Sequence, residues 1–178
     1  MTTERNNLIL VGMMGAGKTT VGRQLARRLK RTFYDSDEAI ERRCGVRIPV
    51  IFDIEGEAGF RKRETEVLEQ LTALDDIVLA TGGGVVLDAR NREHLKNRGF
   101  VIYLHALPPV LWQRTRADKS RPLLQGGSPR ERLEGLYALR DPLYRDAADL
   151  VIETGRQGIG PLLSQVLMRF DEACRLSA

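Results

Sequence analysis

The run Gly12-Met13-Met14-Gly15-Ala16-Gly17-Lys18-Thr19 constrains this chain more than any other stretch, because it fits the phosphate-binding pattern G-x-x-x-x-G-K-[ST] at every specified position. That pattern works only between a strand and a helix. The apolar run Leu8 to Val11 supplies the strand, and Val21, Leu25, Ala26 and Leu29 follow at helical spacing. Glycines let the loop turn tightly and offer successive backbone N–H groups to phosphate oxygens, while the helix adds the positive end of its dipole. Gly15, Ala16, Gly17, Lys18, Thr19 and Thr20 are therefore expected around a nucleoside triphosphate. Lys18 would reach the β- and γ-phosphates, and the Thr19 hydroxyl would ligate one Mg2+ bound with ATP. The competing account is a glycine-rich turn that merely precedes a helix.

Further short apolar runs at Ile77 to Ala80, Val101 to Leu104 and Leu150 to Ile152, with a weaker one at Thr32 to Tyr34, read as strands. Amphipathic patterns lie between them, such as Val67, Leu68, Leu71 and Leu74, and a last one runs from Leu162 to Phe170. Alternating strands and helices predict an α/β fold, a parallel sheet covered on both faces. At 178 residues one domain spanning the chain is expected. Two connections exceed a simple crossover. One holds Asp37 to Arg43, a break at Gly45, a short segment from Pro49 to Glu55 and a helix from about Gly56 to Leu74, which predicts an inserted lobe at about 36–74. The other, about 116–130, is rich in Lys, Arg, Gly and Pro and predicts a lid.

Charged residues at 29% and hydrophobic ones at 42% exclude disordered and fibrous classes. A net charge of +4 suits a polyanionic ligand, nucleotide or nucleic acid, although Arg23, Arg27, Arg28, Lys30 and Arg31 read as the solvated face of the first helix. Cys44 and Cys174 suggest neither a disulfide framework nor a metal knuckle. The first residues lack a signal-peptide core and no apolar run reaches membrane-span length, so a cytoplasmic protein without membrane association is expected.

A triphosphate site serves kinases, switches and motors alike, and the rest of the chain discriminates among them. There is no Asn-Lys-x-Asp guanine-reading signal, and the strand Ile77 to Ala80 runs into Thr81-Gly82-Gly83-Gly84 where many ATPases carry a magnesium-binding Asp. Asp35, closing the second strand, is a replacement that could hold magnesium through water, leaving Asp37 to face a substrate. The alternative is that Ser36 or Asp37 only caps the next helix. Gly82, Gly83 and Gly84 end a strand beside the phosphate loop, where residues without side chains admit a ligand close to the backbone; a flexible turn is the other reading. Any single arginine is more often surface decoration. Arg61 and Arg140 together could grip a carboxylate bidentately, and Arg121 in the lid could close over the γ-phosphate.

Five segments together resemble the shikimate kinase family: GMMGAGKTT from Gly12, Asp35-Ser36-Asp37, IFDIEGEAGFRKRE from Ile51, ATGGG from Ala80, and RPLL from Arg121 followed by RDPLY ending at Tyr144. The resemblance implies a P-loop nucleoside-monophosphate-kinase-like fold with strand order 2-3-1-4-5, a shikimate-binding lobe and a lid over ATP. It implies transfer of phosphate from ATP to the 3-hydroxyl of shikimate, a step of chorismate and aromatic amino acid biosynthesis. It further implies that Asp37, Arg61, Arg140 and Gly82 to Gly84 contact shikimate, that Lys18 and Arg121 contact phosphate, and that Arg114 stacks on adenine. Lys18, Asp37 and Arg121 would be the catalytic residues. The segment Gly158-Ile159-Gly160 departs from relatives that carry a proline in the adenine loop. A monomer acting on ATP and shikimate, without nucleic acid, is expected. Rival readings are a kinase of another small hydroxy acid such as gluconate, or of a nucleoside monophosphate, and, from another class, a nucleic-acid-binding or regulatory nucleotide protein.

Overall fold

A computed structural model describes residues 6–118, 124, 126–155 and 157–177. Its centre is a five-stranded sheet made of β1 (Asn7–Val11), β2 (Thr32–Asp35), β3 (Ile77–Ala80), β4 (Gly99–His105) and β5 (Leu150–Glu153). All neighbours pair in parallel, in the order β2-β3-β1-β4-β5. The central strands β1 and β3 are buried along their whole length, which is why Leu8 to Val11 and Ile77 to Ala80 are continuous apolar runs rather than alternating ones. The helices are α1 (Lys18–Leu29), α2 (Ser36–Cys44), α3 (Ile48–Thr72), α4 (Ala89–Arg98), α5 (Pro108–Thr115), α6 (Pro129–Ala147) and α7 (Ile159–Ser177). α1 lies on β1, β2 and β3 and meets α7, while α4 and α6 pack on β4 and on each other and α3 joins α4. The sheet is thus covered by helices, as the alternation predicts.

All five predicted strands are present, each within two residues of its predicted limits. The capping alternatives for the second crossover are corrected. The N-cap of α2 is Asp35 itself, whose carboxylate accepts from the Asp37 and Glu38 amides, whereas Ser36 turns its hydroxyl to accept the Gly82 N–H at 2.9 Å. The segment predicted as short and separate, Pro49 to Glu55, is helical and continuous with the next helix through a kink at Gly56, where φ is 70° and ψ −177°. At the end of the predicted lid, Pro129 and Arg130 already belong to α6, capped by Ser128. Neither Cys44 nor Cys174 is in a disulfide among the described residues, where no helix is long and apolar enough to cross a membrane.

Candidate active site

Parallel pairing brings three strand ends together. Leu10 pairs with Ala80 and Asp35 pairs with Ala80 from the other side, so the segments after β1, β2 and β3 all leave the sheet at one edge. Thr81 fastens two of them, giving both its amide and its hydroxyl to the Leu10 carbonyl at 3.1 and 2.9 Å. A cleft of about 750 Å³ opens there, lined by the phosphate loop, Asp35, Asp37, Gly82 to Gly84, Arg61, Glu64 and Arg140.

Within the loop, Gly17 is the N-cap of α1 at φ 97°, a left-handed conformation that favours glycine, and no side chain caps the helix. The first N–H groups of α1 therefore remain available to an anion. Lys18 donates to the carbonyls of Gly12 and Met13 at 2.6 and 3.0 Å, which folds its ammonium back over the loop. Thr19 and Thr20 line the same cleft with Gly15 and Gly17, whereas Ala16 is buried and gives its amide to Met13. Arg114, exposed on α5, lies along the outer side of the loop and donates to the Gly15 carbonyl at 3.1 Å. Arg121 lies outside the described residues.

The Thr19 hydroxyl donates to Asp35 Oδ2 at 2.7 Å. A hydroxyl and a carboxylate side by side at the mouth of a phosphate loop are hard oxygen donors of the kind Mg2+ takes while keeping water and phosphate oxygens as its other ligands. The donor set fits an ion that arrives with a nucleotide. No group of three or more His, Cys, Asp or Glu able to hold a metal occurs among the described residues.

On the other side of the cleft, α3 and α6 carry charged groups inward. Arg61 donates to the buried Glu64 at 2.7 Å and to Glu57 at 3.2 Å, one helical turn away in each direction. Burial works against the Arg61 charge, but Glu64 and Glu57 outweigh it and hold its pKa above the ordinary value. Asp37 Oδ1 and Glu64 Oε1 are enclosed and make no hydrogen bond, and both converge on Gly82, where a Cβ would come within 2.7 and 2.8 Å of them. Burial first, then the neighbouring Asp35 and Glu64, pushes the Asp37 carboxyl up to about 7, against the pull of Lys18 and Arg61. Burial likewise raises Glu64 despite Arg61. Arg140 is 1% exposed, and its Nε is buried without a partner. Gly84 lies under the Arg61 guanidinium, where a Cβ would stand 2.2 Å from Nη1, and Gly83 lies under Arg140 at 3.3 Å. The triple glycine is thus a surface on which two guanidinium groups rest, not a slack turn.

A cleft with a phosphate cradle at one wall and two arginines at the other is built for a triphosphate and a small anionic acceptor, and comparison with known proteins narrows the acceptor class. The family model described as Shikimate kinase matches residues 14–170. The chain belongs to the shikimate kinase family. A shikimate kinase of Burkholderia lata is 62% identical over 167 residues, covering 94% of this chain and 91% of that one. Another, from Cupriavidus pinatubonensis, is 58% identical over 97% of this chain and 90% of its own. The solved shikimate kinase from Acinetobacter baumannii in complex with shikimate superposes with a TM-score of 0.89 at 52% identity, covering 92% of each chain.

Of the residues expected from sequence, the structure brings Gly15, Gly17, Lys18, Thr19, Thr20, Asp35, Asp37, Arg61, Gly82, Gly83, Gly84 and Arg140 into one cleft. Sequence reasoning missed Glu64 and Glu57. The i, i+3 spacing of Arg61 and Glu64 and the i, i+4 spacing of Glu57 and Arg61 were the available signal.

Proposed function

We propose that this chain transfers the γ-phosphoryl group of ATP to the 3-hydroxyl of shikimate, giving shikimate 3-phosphate and ADP, a step of aromatic amino acid biosynthesis. The observation that carries the reading is the convergence of Lys18, Asp37, Arg61 and Arg140 on one cleft. Family membership supplies the acceptor. In this reading the phosphate loop amides and Lys18 hold the β- and γ-phosphates, and Arg114 stacks on adenine. Thr19 and Asp35 would hold the Mg2+ that arrives with ATP, which would supply positive charge to the phosphates. Arg61 and Arg140 clamp the shikimate carboxylate through charge-assisted, two-pronged hydrogen bonds. Asp37 accepts from the acceptor's hydroxyls and aligns the attacking one. A loose phosphoryl-transfer transition state requires little deprotonation beforehand, so alignment is the larger part of its work and late proton acceptance the smaller. Residues about 36–74 would form the shikimate-binding lobe, and the segment from about 116 to the α6 cap at Ser128 would be a lid whose Arg121 meets the γ-phosphate. The protein works as a cytoplasmic monomer.

The test is an acceptor panel with ATP and Mg2+, following ADP release and identifying the phosphorylated product by phosphorus NMR. Shikimate should be the acceptor used, with gluconate and nucleoside monophosphates left unchanged. Phosphorylation of gluconate with shikimate untouched would sink the acceptor assignment and keep the kinase.

A further inference from the structure

We propose that Tyr144 is a positioning residue for the acceptor's carboxylate, its hydroxyl tying the Arg140 guanidinium to the backbone of the triple glycine; this rests on the reading of Arg140 as a carboxylate clamp. Tyr144 is fully buried on α6, one turn beyond Arg140. Its hydroxyl has one proton to give and lone pairs to accept with. The proton goes to the Gly83 carbonyl, the Arg140 guanidinium rests against the same glycine, and the hydroxyl oxygen keeps its lone pairs for that guanidinium. Met13 of the phosphate loop touches the hydroxyl at 3.7 Å through its sulfur, a weaker acceptor that the Gly83 carbonyl outcompetes. Burial holds the phenol protonated well above its ordinary range, against the pull of Arg140.

The arrangement answers a question that the cleft poses. Arg140 is a buried guanidinium with no carboxylate within ion-pair distance among the described residues and with Nε unsatisfied, so little else fixes its fork before a ligand arrives. Arg61, by contrast, is held by Glu57 and Glu64. Gly83 supplies the flat surface and Tyr144 the peg, and a bidentate clamp depends on the orientation of its plane. Tyr144→Phe removes the peg alone, since the ring that packs against Tyr103 at 4.9 Å remains.

In the full chain, Tyr144→Phe should raise KM for shikimate by about threefold to tenfold, the loss expected of one hydrogen bond. The turnover number, KM for ATP and melting temperature should stay close to parental. In an Arg140→Lys background, which has no fork to orient, the same change should add less than about twofold. With methyl shikimate, which lacks the charged carboxylate, parent and Tyr144→Phe should perform alike. Parental KM in Tyr144→Phe, full additivity with Arg140→Lys, or a joint loss of turnover, both KM values and melting temperature would each overturn the proposal. A parent enzyme inactive on shikimate would instead overturn the functional reading, and this proposal with it.

Discussion

Lys18 and Asp37 line the same cleft and are held in opposite ways. Lys18 rests on two loop carbonyls that a solvent-facing cleft can hydrate if the ammonium is removed. Lys18→Ala should therefore fold normally and yet lose about 100-fold or more of its turnover, the scale set by deleting one preorganised charge partner in a transfer reaction. Circular dichroism and an ADP-release assay on the same sample check both halves. Asp37 has a different liability: its pKa is raised from 3.8 to about 7 by burial and by Asp35 and Glu64. A carboxyl with a raised folded-state pKa contributes stability that is fully present below the unfolded value and is lost as pH rises through the folded one. In the empty protein the stability that Asp37 contributes should thus decline between about pH 4 and pH 7. Asp37→Asn cannot ionise, so its stability relative to the parent should improve from pH 5 to pH 8. The gain should be about 1–2 kcal/mol, kept below the full linkage value because water enters an open cleft. Urea denaturation at the two pH values measures it, and a constant difference would mean that Asp37 is already ionised in the fold.

α3 is where the chain's local chemistry shapes the wall of the cleft that carries Arg61. Its kink at Gly56 uses φ 70° with ψ near 180°, a region that essentially only glycine occupies. The bend has visible consequences. Glu55 binds Arg63 through both oxygens, at 2.6 and 2.8 Å, although eight residues of straight helix would separate them by about 12 Å. Phe52 before the kink also meets Phe60 after it, with ring centroids 4.8 Å apart, on the wall of the cleft. A Cβ at Gly56 would meet nothing within 4 Å, so the cost of Gly56→Ala is conformational rather than steric, about 1–3 kcal/mol. Chemical denaturation should show that loss, and KM for shikimate should rise while KM for ATP holds. Unchanged stability would remove the kink from the account. Sequence reading put a helix start at about Gly56, because glycine is ordinarily a helix boundary. Tertiary packing carried the helix through it. The capping of α2 was misplaced for a related reason: Asp35, Ser36 and Asp37 are all good caps, and only the geometry of the strand end decides which carboxylate faces the free amides.

At the scale of the molecule, the five strands were legible because each is a short apolar run, and the phosphate loop fixed the first of them as central to the site. The strand order came only from the family resemblance, since pairing partners leave no periodicity in a single sequence. α5 and α6 were not identified as helices. α5 starts with Pro108-Pro109, and α6 is rich in charge and contains Gly135 and Pro142, so both resemble loop by composition. The missed helix α6 carries Arg140 and Tyr144, and the site was accordingly legible as a set of residues but not as a surface. Because the cleft is assembled from three strand ends, α3 and α6, none of it exists in the unfolded chain, and a ligand of the cleft should stabilise only the folded state. At 100 times its dissociation constant such a ligand adds about 2.7 kcal/mol, which for a domain of this size raises the melting temperature by about 5–11 °C. Shikimate alone and ADP alone should each do so. Arg140→Lys should shrink the shikimate shift and spare the ADP shift, while Lys18→Ala should do the reverse. Both shifts should persist at 0.5 M NaCl when the ligand is kept saturating, since the expected contacts are short-range and gathered in one cleft rather than spread over the surface. A nucleic-acid-binding protein, the reading that the net charge of +4 leaves open, would instead be stabilised by duplex DNA in a strongly salt-dependent way and be indifferent to shikimate. That pattern in a thermal melt would dismantle the cleft as the functional site.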